Sequence, residues 1–237
     1  MDSKNIELKE LLKQRIVLLD GAMGTMIQRA GLSEADFRGE RYADVDCEMK
    51  GCNDILVLTR PDVIADIHRQ YLEAGADIIE TCTFNSQAIS QAEYQTANYV
   101  SRINRDAARL ARKEADRMTA LTPNKPRFVA GSIGPTAKMT SMSPDVESPA
   151  IRSVSFDDLR LAYAEQIRAL LEGGVDALLI ETIFDTLNAK AALAAAREVF
   201  EEKGKKVPVM LSATIADAGG RILSGQTLEA FLVSIAH

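Results

Sequence analysis

The strongest constraint on this chain is a phrase that it uses twice. Leu72-Glu73-Ala74-Gly75-Ala76-Asp77-Ile78-Ile79-Glu80-Thr81 is answered about a hundred residues later by Leu171-Glu172-Gly173-Gly174-Val175-Asp176-Ala177-Leu178-Leu179-Ile180-Glu181-Thr182. Each reads as a helix end, a glycine stop, a short apolar strand and a carboxylate at the exit. Such an apolar run enters a parallel sheet covered on both faces, and an acid at its end breaks the pattern. An acid placed there twice points to a functional strand end.

The rest of the chain extends the same rhythm. A leading helix over residues 6–14 precedes the run Ile16-Val17-Leu18-Leu19, a first strand that exits at Asp20-Gly21. Residues 30–59 are polar, broken by Gly39 and Gly51, and expected to be an irregular excursion over a barrel mouth. Pro61 opens a helix through Ile64, Ile67, His68 and Tyr71, with His68 expected on its surface. One or two helices cover residues 87–118, and a third strand over residues 128–133 ends in Gly134-Pro135. A Ser-, Met- and Pro-rich loop over residues 136–153 follows, and Ser155-Phe156-Asp157-Asp158 has capping-box spacing. The second copy of the phrase gives the fourth strand. A helix over residues 188–202, a fifth strand over residues 209–214 and a helical start at Thr227 complete the order. Five strands alternating with helices make an α/β fold with a parallel sheet. The repeated exits favour a (β/α)8 TIM barrel over a doubly wound sheet, because barrel exits face one mouth. The barrel is incomplete, with an N-terminal helix and about five of its eight units.

Charge and composition exclude several partners. The 237 residues carry a formal net charge of −6, and Lys and Arg are scattered among acids. That pattern suits neither nucleic acid nor an anionic membrane surface. Residues 1–5 show no signal-peptide pattern, and no run is long and apolar enough for a span. Three cysteines make a disulfide framework improbable and a cytoplasmic location the expectation.

The strand exits hold the candidate chemistry: Asp20, Glu80 with Thr81, residues 131–134, Glu181 with Thr182, and Thr214. Singly, Asp20 reads equally as a turn residue, and Glu80 or Glu181 as a buried ion-pair partner. Together, converging carboxylates could clamp an ammonium group. The loop Asp20-Gly21-Ala22-Met23-Gly24-Thr25 lacks both the G-x-G-x-x-G spacing and a P-loop lysine, which argues against nucleotide binding. Its glycines instead let backbone approach a small ligand, with an N–H toward a carboxylate. Cys47, Cys52, Cys82, His68 and His237 do not make the close pairs that tetrahedral zinc requires, so no metal site is expected.

Four segments then carry a resemblance. Residues 18–28 (Leu-Leu-Asp-Gly-Ala-Met-Gly-Thr-Met-Ile-Gln), 34–41 (Glu-Ala-Asp-Phe-Arg-Gly-Glu-Arg), 79–86 (Ile-Glu-Thr-Cys-Thr-Phe-Asn-Ser) and 180–190 resemble the homocysteine-binding module that opens cobalamin-dependent methionine synthases. Asp-Gly-x-x-Gly-Thr is shared by homocysteine S-methyltransferases generally. The Phe-Arg-Gly-Glu-Arg loop and Ser143-Pro144-Asp145 point to the cobalamin-dependent branch. The resemblance implies a (β/α)8 barrel with homocysteine at its mouth. By matching position, Asp20 and Glu181 would hold the amino group and the backbone at Gly21 the carboxylate, with Thr81, Asn85 and Ser132 lining the mouth. It implies methyl transfer from methylcobalamin, recharged by methyltetrahydrofolate, to zinc-bound homocysteine, giving methionine. The family's zinc-ligand cysteines match nothing in residues 1–237. Zinc, methylcobalamin and the folate, cobalamin and reactivation domains are therefore expected to lie beyond His237, leaving this chain inactive alone.

Three alternatives stand beside that reading. Another homocysteine S-methyltransferase would share most of the motifs. A barrel glycosidase could use Glu80 and Glu181 as acid and base, although the absence of Trp and 5% aromatic content suit sugar stacking poorly. A non-catalytic binding fragment with an open sheet edge is the third.

Overall fold

The computed structural model describes residues 8–141, 143–215 and 218–236. The expectations for residues 1–5 and for His237 lie outside the described residues. Four strands, β1 (Ile78–Glu80), β2 (Phe128–Ile133), β3 (Ala177–Ile183) and β4 (Val209–Ala213), pair in parallel in the order β1-β2-β3-β4. Sheet order follows chain order without the reversal of a doubly wound fold, so each crossover moves the chain one strand along. Among the described residues the sheet is open rather than closed on itself.

The helices are α1 (Leu8–Gln14), α2 (Met23–Arg29), α3 (Glu34–Arg38), α4 (Leu56–Thr59), α5 (Pro61–Ala74), α6 (Ala88–Gln91), α7 (Val100–Leu121), α8 (Phe156–Gly173), α9 (Thr186–Lys203) and α10 (Leu228–Ile235). Their ends follow local chemistry. Pro61 occupies the first turn of α5, where its missing N–H costs nothing. Gly75 and Gly174 end α5 and α8 at φ 111° and 95°, a left-handed conformation that a Cβ disfavours. The capping box of α8 forms as expected, with Ser155 Oγ accepting from the Asp158 N–H at 3.1 Å and the Asp158 carboxylate accepting from the Ser155 N–H at 2.9 Å.

Strand alternation sorts side chains onto two faces. Ile79, Val129, Ile133, Leu178 and Ile180 face the layer that holds Ala111, Ile167, Leu170, Ala192 and Val199. Ile78, Phe128, Ala130, Ala177 and Leu179 face the other way, against Leu8 and Leu11 of α1. Glu80, Ser132 and Glu181 continue that second row by the same period of two, which is why they meet at the strand ends.

The aspartates of the repeated phrase work at the opposite ends. Asp77 accepts from the Leu18 N–H at 2.9 Å and from both terminal nitrogens of Arg15 at 2.8 Å. Asp176 accepts from the Val129 N–H at 2.8 Å and pairs with Arg112. Each fastens the entry of its own strand to the strand before it.

Three expectations are corrected. Residues 16–19 make one parallel bridge, Leu19 to Ile78, rather than a full strand, so the sheet has four strands and not five. Among the described residues the run has a neighbour on one side only, and Ile16 and Leu18 remain 84% and 53% exposed. Residues 30–59 are not an irregular excursion: α3, α4 and the turn Asn53–Ile55 bury Phe37, Tyr42, Met49, Ile55 and Leu56 in a second core with Ile64, Ile67 and Ile103. That packing covers the outer side of α5, so His68 is fully buried and not on the surface. Residues 87–118 divide into α6, two 3-10 turns and α7. Among the described residues, no helix is long and apolar enough to cross a membrane.

Candidate functional site

Asp20, Glu80 and Glu181 converge where the strands end. One Asp20 oxygen accepts from the Glu80 N–H at 3.0 Å, and the other is buried without a partner. The Glu80 and Glu181 carboxyls hydrogen-bond to each other, and Glu181 also accepts from Ser132 Oγ. No Lys or Arg among the described residues pairs with any of the three. Burial, reinforced by the charges of Glu181 and Asp20, pushes Glu80 up to about 8. Burial also pushes Asp20 up to about 7 and raises Glu181, whose hydrogen bonds from Ser132 and Glu80 act against the rise. The site holds negative charge at high density and keeps part of it neutralised by protons.

The layer beneath this cluster is rigid. Thr81 Oγ1 accepts from the Ser132 N–H at 3.0 Å and lies 2.7 Å from Thr83 Oγ1, which donates to the Ser132 carbonyl at 2.7 Å. Gln166 of α8 donates to the Thr83 carbonyl at 2.9 Å. Thr81 and Ser132 are thus buried supports of Glu181. Ser132 touches it and Thr81 acts one bond away. Gly21 follows Asp20 with its Cα side against the Tyr71 ring, where an added Cβ would stand 3.3 Å from Tyr71 Oη. Asn85 is exposed, and its hydrogen bonds are made by backbone, to Asp54 and Gln91, so no contact draws its side chain to the carboxylates.

Two devices that sequence reasoning missed complete the mouth. The β3–β4 register shifts between Ile180 and Ile183, and Thr182 sits at φ 54°, a strained value for a β-branched residue. Nothing in the sequence marks it, because any residue can follow Glu181. Asp185 caps α9 and also binds the Thr140 and Ser141 N–H groups at 3.1 and 2.9 Å, while Asn188 accepts from Thr140 Oγ1 at 2.7 Å. These bonds fasten the loop after β2. An Asp before a helical run is an N-cap signal, so the cap was legible but its second task was not.

The cysteines lie elsewhere. Cys52 Sγ donates to Gln91 Oε1 and Cys82 Sγ to the Asn53 carbonyl, each at 3.6 Å. Burial pushes the Cys52 thiol up to about 12 and raises Cys82 well above the ordinary thiol range. No group of three possible ligands for a metal ion assembles among the described residues.

With this geometry in place, residues 17–237 match the family described as Homocysteine S-methyltransferase. The chain belongs to that family. Methylation of homocysteine is the family's general chemistry. The fold is also that of solved structures. The metallated form of the homocysteine methyltransferase MmuM from Escherichia coli matches with a TM-score of 0.74 at 23% identity, covering 97% of this chain and 73% of that one. Its apo form matches at 0.66 and 22%, covering 97% and 71%. At such identity the likeness speaks for the fold, an α/β arrangement on a parallel sheet, and the family match speaks for the chemistry.

Proposed function

We propose that this chain holds homocysteine for methylation, gripping its ammonium between Asp20 and Glu181 with the Gly21 backbone toward its carboxylate. The observation that carries the reading is the uncompensated carboxyl cluster, with one buried Asp20 oxygen unpartnered. A buried charge without a partner is costly, and an ammonium ion relieves that cost while giving up its own water. Ser132 fixes the Glu181 carboxylate, Thr81 fixes Ser132, and Glu80 supplies or takes up the proton that keeps the empty site stable. These residues orient the amino acid and leave its thiol side chain free to point away from the acids.

The fuller proposal makes this the homocysteine half of a cobalamin-dependent methionine synthase, with methylcobalamin recharged by methyltetrahydrofolate as methyl donor. Support comes from the segment around Phe37 to Arg41, where Arg38 binds the carbonyls of Tyr42 and Val45 and the Glu34 carboxylate, holding that loop in one shape. Because no group of three possible metal ligands assembles among the described residues, the proposal assigns zinc, cobalamin and folate chemistry to residues outside 1–237. A glycosidase reading fares worse. Its two carboxyls stand at least about 5 Å apart to flank a sugar, whereas Glu80 and Glu181 hydrogen-bond directly.

Calorimetry with homocysteine and with 4-mercaptobutyrate, which lacks only the amino group, tests the clamp. Homocysteine should bind at least about tenfold more tightly, and Asp20→Asn or Glu181→Gln should erase most of that difference. Equal binding of the two thiols would remove the ammonium clamp.

A further inference from the structure

The entry ends of the strands carry a second concentration of charge, of the opposite sign. There an open cleft of about 1250 Å³ is bounded by α1, by the end of α7 and the turn after it, and by residues 205–208 leading into β4. Five basic side chains line it, Lys9, Arg112, Arg127, Lys205 and Lys206, against two acids, Asp116 and Asp176. In a chain of net charge −6 this is a local reversal.

The two acids are already engaged. Arg112 pairs with both, at 3.0 Å to Asp116 and more closely to Asp176. Arg127 is different. It is 6% exposed, and among the described residues its Nε is buried without a partner and its guanidinium makes one hydrogen bond, from Nη1 to the Lys125 carbonyl. No carboxylate among the described residues lies within ion-pair distance of it. Lys9, Lys205 and Lys206 are exposed and likewise make no ion pair with a described residue. A guanidinium keeps its charge in proteins, so a buried one that lines a basic cleft and has an unpartnered Nε lacks an anion.

We infer that this cleft binds a phosphate-bearing anion, with Arg127 as its floor and Lys205 and Lys206 as its rim. The planar fork of arginine matches phosphate oxygens, and lysines add charge without fixed geometry. Ala120, Pro123, Val207 and Pro208, exposed or half-buried, supply an apolar wall beside these cations. The cleft is far larger than a phosphate ion, so the chemistry that fits is a phosphomonoester with an apolar portion.

Thermal-shift and calorimetric titrations with inorganic phosphate and with phenyl phosphate, at constant ionic strength in chloride, test the inference. Both anions should bind saturably, and Lys205→Gln/Lys206→Gln should weaken them about tenfold. Arg127→Gln should abolish binding. If it unfolds the protein, the lysine variant decides, since both lysines are exposed. Tighter binding of phenyl phosphate assigns the apolar wall to the ligand, and equal binding assigns the phosphate group alone. Stabilisation that chloride reproduces, or an affinity unchanged in the lysine variant, overturns the site.

Discussion

Glu80 and Glu181 share a proton across two strand exits that the repeated phrase makes equivalent, the carboxyl of Glu80 donating to that of Glu181. Neither residue adjoins the other in sequence or in strand order, since β2 runs between their strands. Both end rows of side chains on the α1 side of the sheet.

Glu80→Gln is expected to stabilise the protein at high pH. An unfolded carboxyl loses its proton near pH 4, whereas Glu80 and Asp20 keep theirs to about 8 and 7. Between those values the folded state binds more protons, so stability falls as pH rises through the window. The amide keeps a donor and removes the charge. At pH 8.5 the variant should gain on the order of 1–2 kcal/mol, or about 3–6 °C in Tm, and at pH 5 the gain should vanish. Buried His68, held down to about 4, works oppositely below pH 6.5, and comparing both proteins at each pH cancels it. A Tm difference that does not change between pH 5 and 8.5 would contradict the shared proton.

Homocysteine affinity should rise with pH from 6 to 8. The ammonium binds ionised carboxylates, and the empty site retains protons in this range. Binding should therefore release protons, seen as a calorimetric enthalpy that varies with the buffer's ionisation heat. Asp20→Asn should flatten the profile. An affinity independent of pH in the parent protein would exclude proton release from the clamp.

Thr182→Asn should raise stability by about 1 kcal/mol, because asparagine tolerates the left-handed region better than a β-branched residue. The same change should leave the backbone aim of Glu181 intact, so homocysteine affinity stays within about twofold. Urea unfolding measures the first and calorimetry the second. A loss of stability would mean that the Thr182 side chain does more than occupy the bulge.

Asp77→Ala should cost about 2–4 kcal/mol, at the lower end because its partner Arg15 is 36% exposed and partly screened. The bond to Arg15 and the Leu18 N–H hold Asp77 down at about 2 against the opposing effect of burial. The ordinary carboxyl pKa is near 4, so this contribution is present above that value and fades as pH falls through 2. Acid unfolding monitored by circular dichroism should show a smaller pH dependence below pH 4 in the variant. Retention of the parent's acid transition would place the clamp elsewhere.

Much of the frame was legible along the chain. The glycine stops at Gly75 and Gly174, the proline start at Pro61 and the Ser155 box all act within a few residues, and each formed where its chemistry required. The strand beginning at Ile16 and the surface placement of His68 were not legible. Both depend on what covers the segment from outside, pairing on one side only among the described residues in one case and a second core built from residues 30–59 in the other.

By itself, then, the sequence determined which residues share a face: alternation puts Glu80, Ser132 and Glu181 in rows with Ile78, Ala130 and Leu179. It also placed an acid at each end of the two repeated strands. Only the tertiary structure separated their tasks, binding Asp77 and Asp176 to arginines and leaving Asp20, Glu80 and Glu181 without a cation among the described residues. The reason is physical. A carboxyl's proton affinity is set by burial and by charges a few ångströms away, and here those charges come from segments some sixty to a hundred and sixty residues apart, which no local pattern encodes.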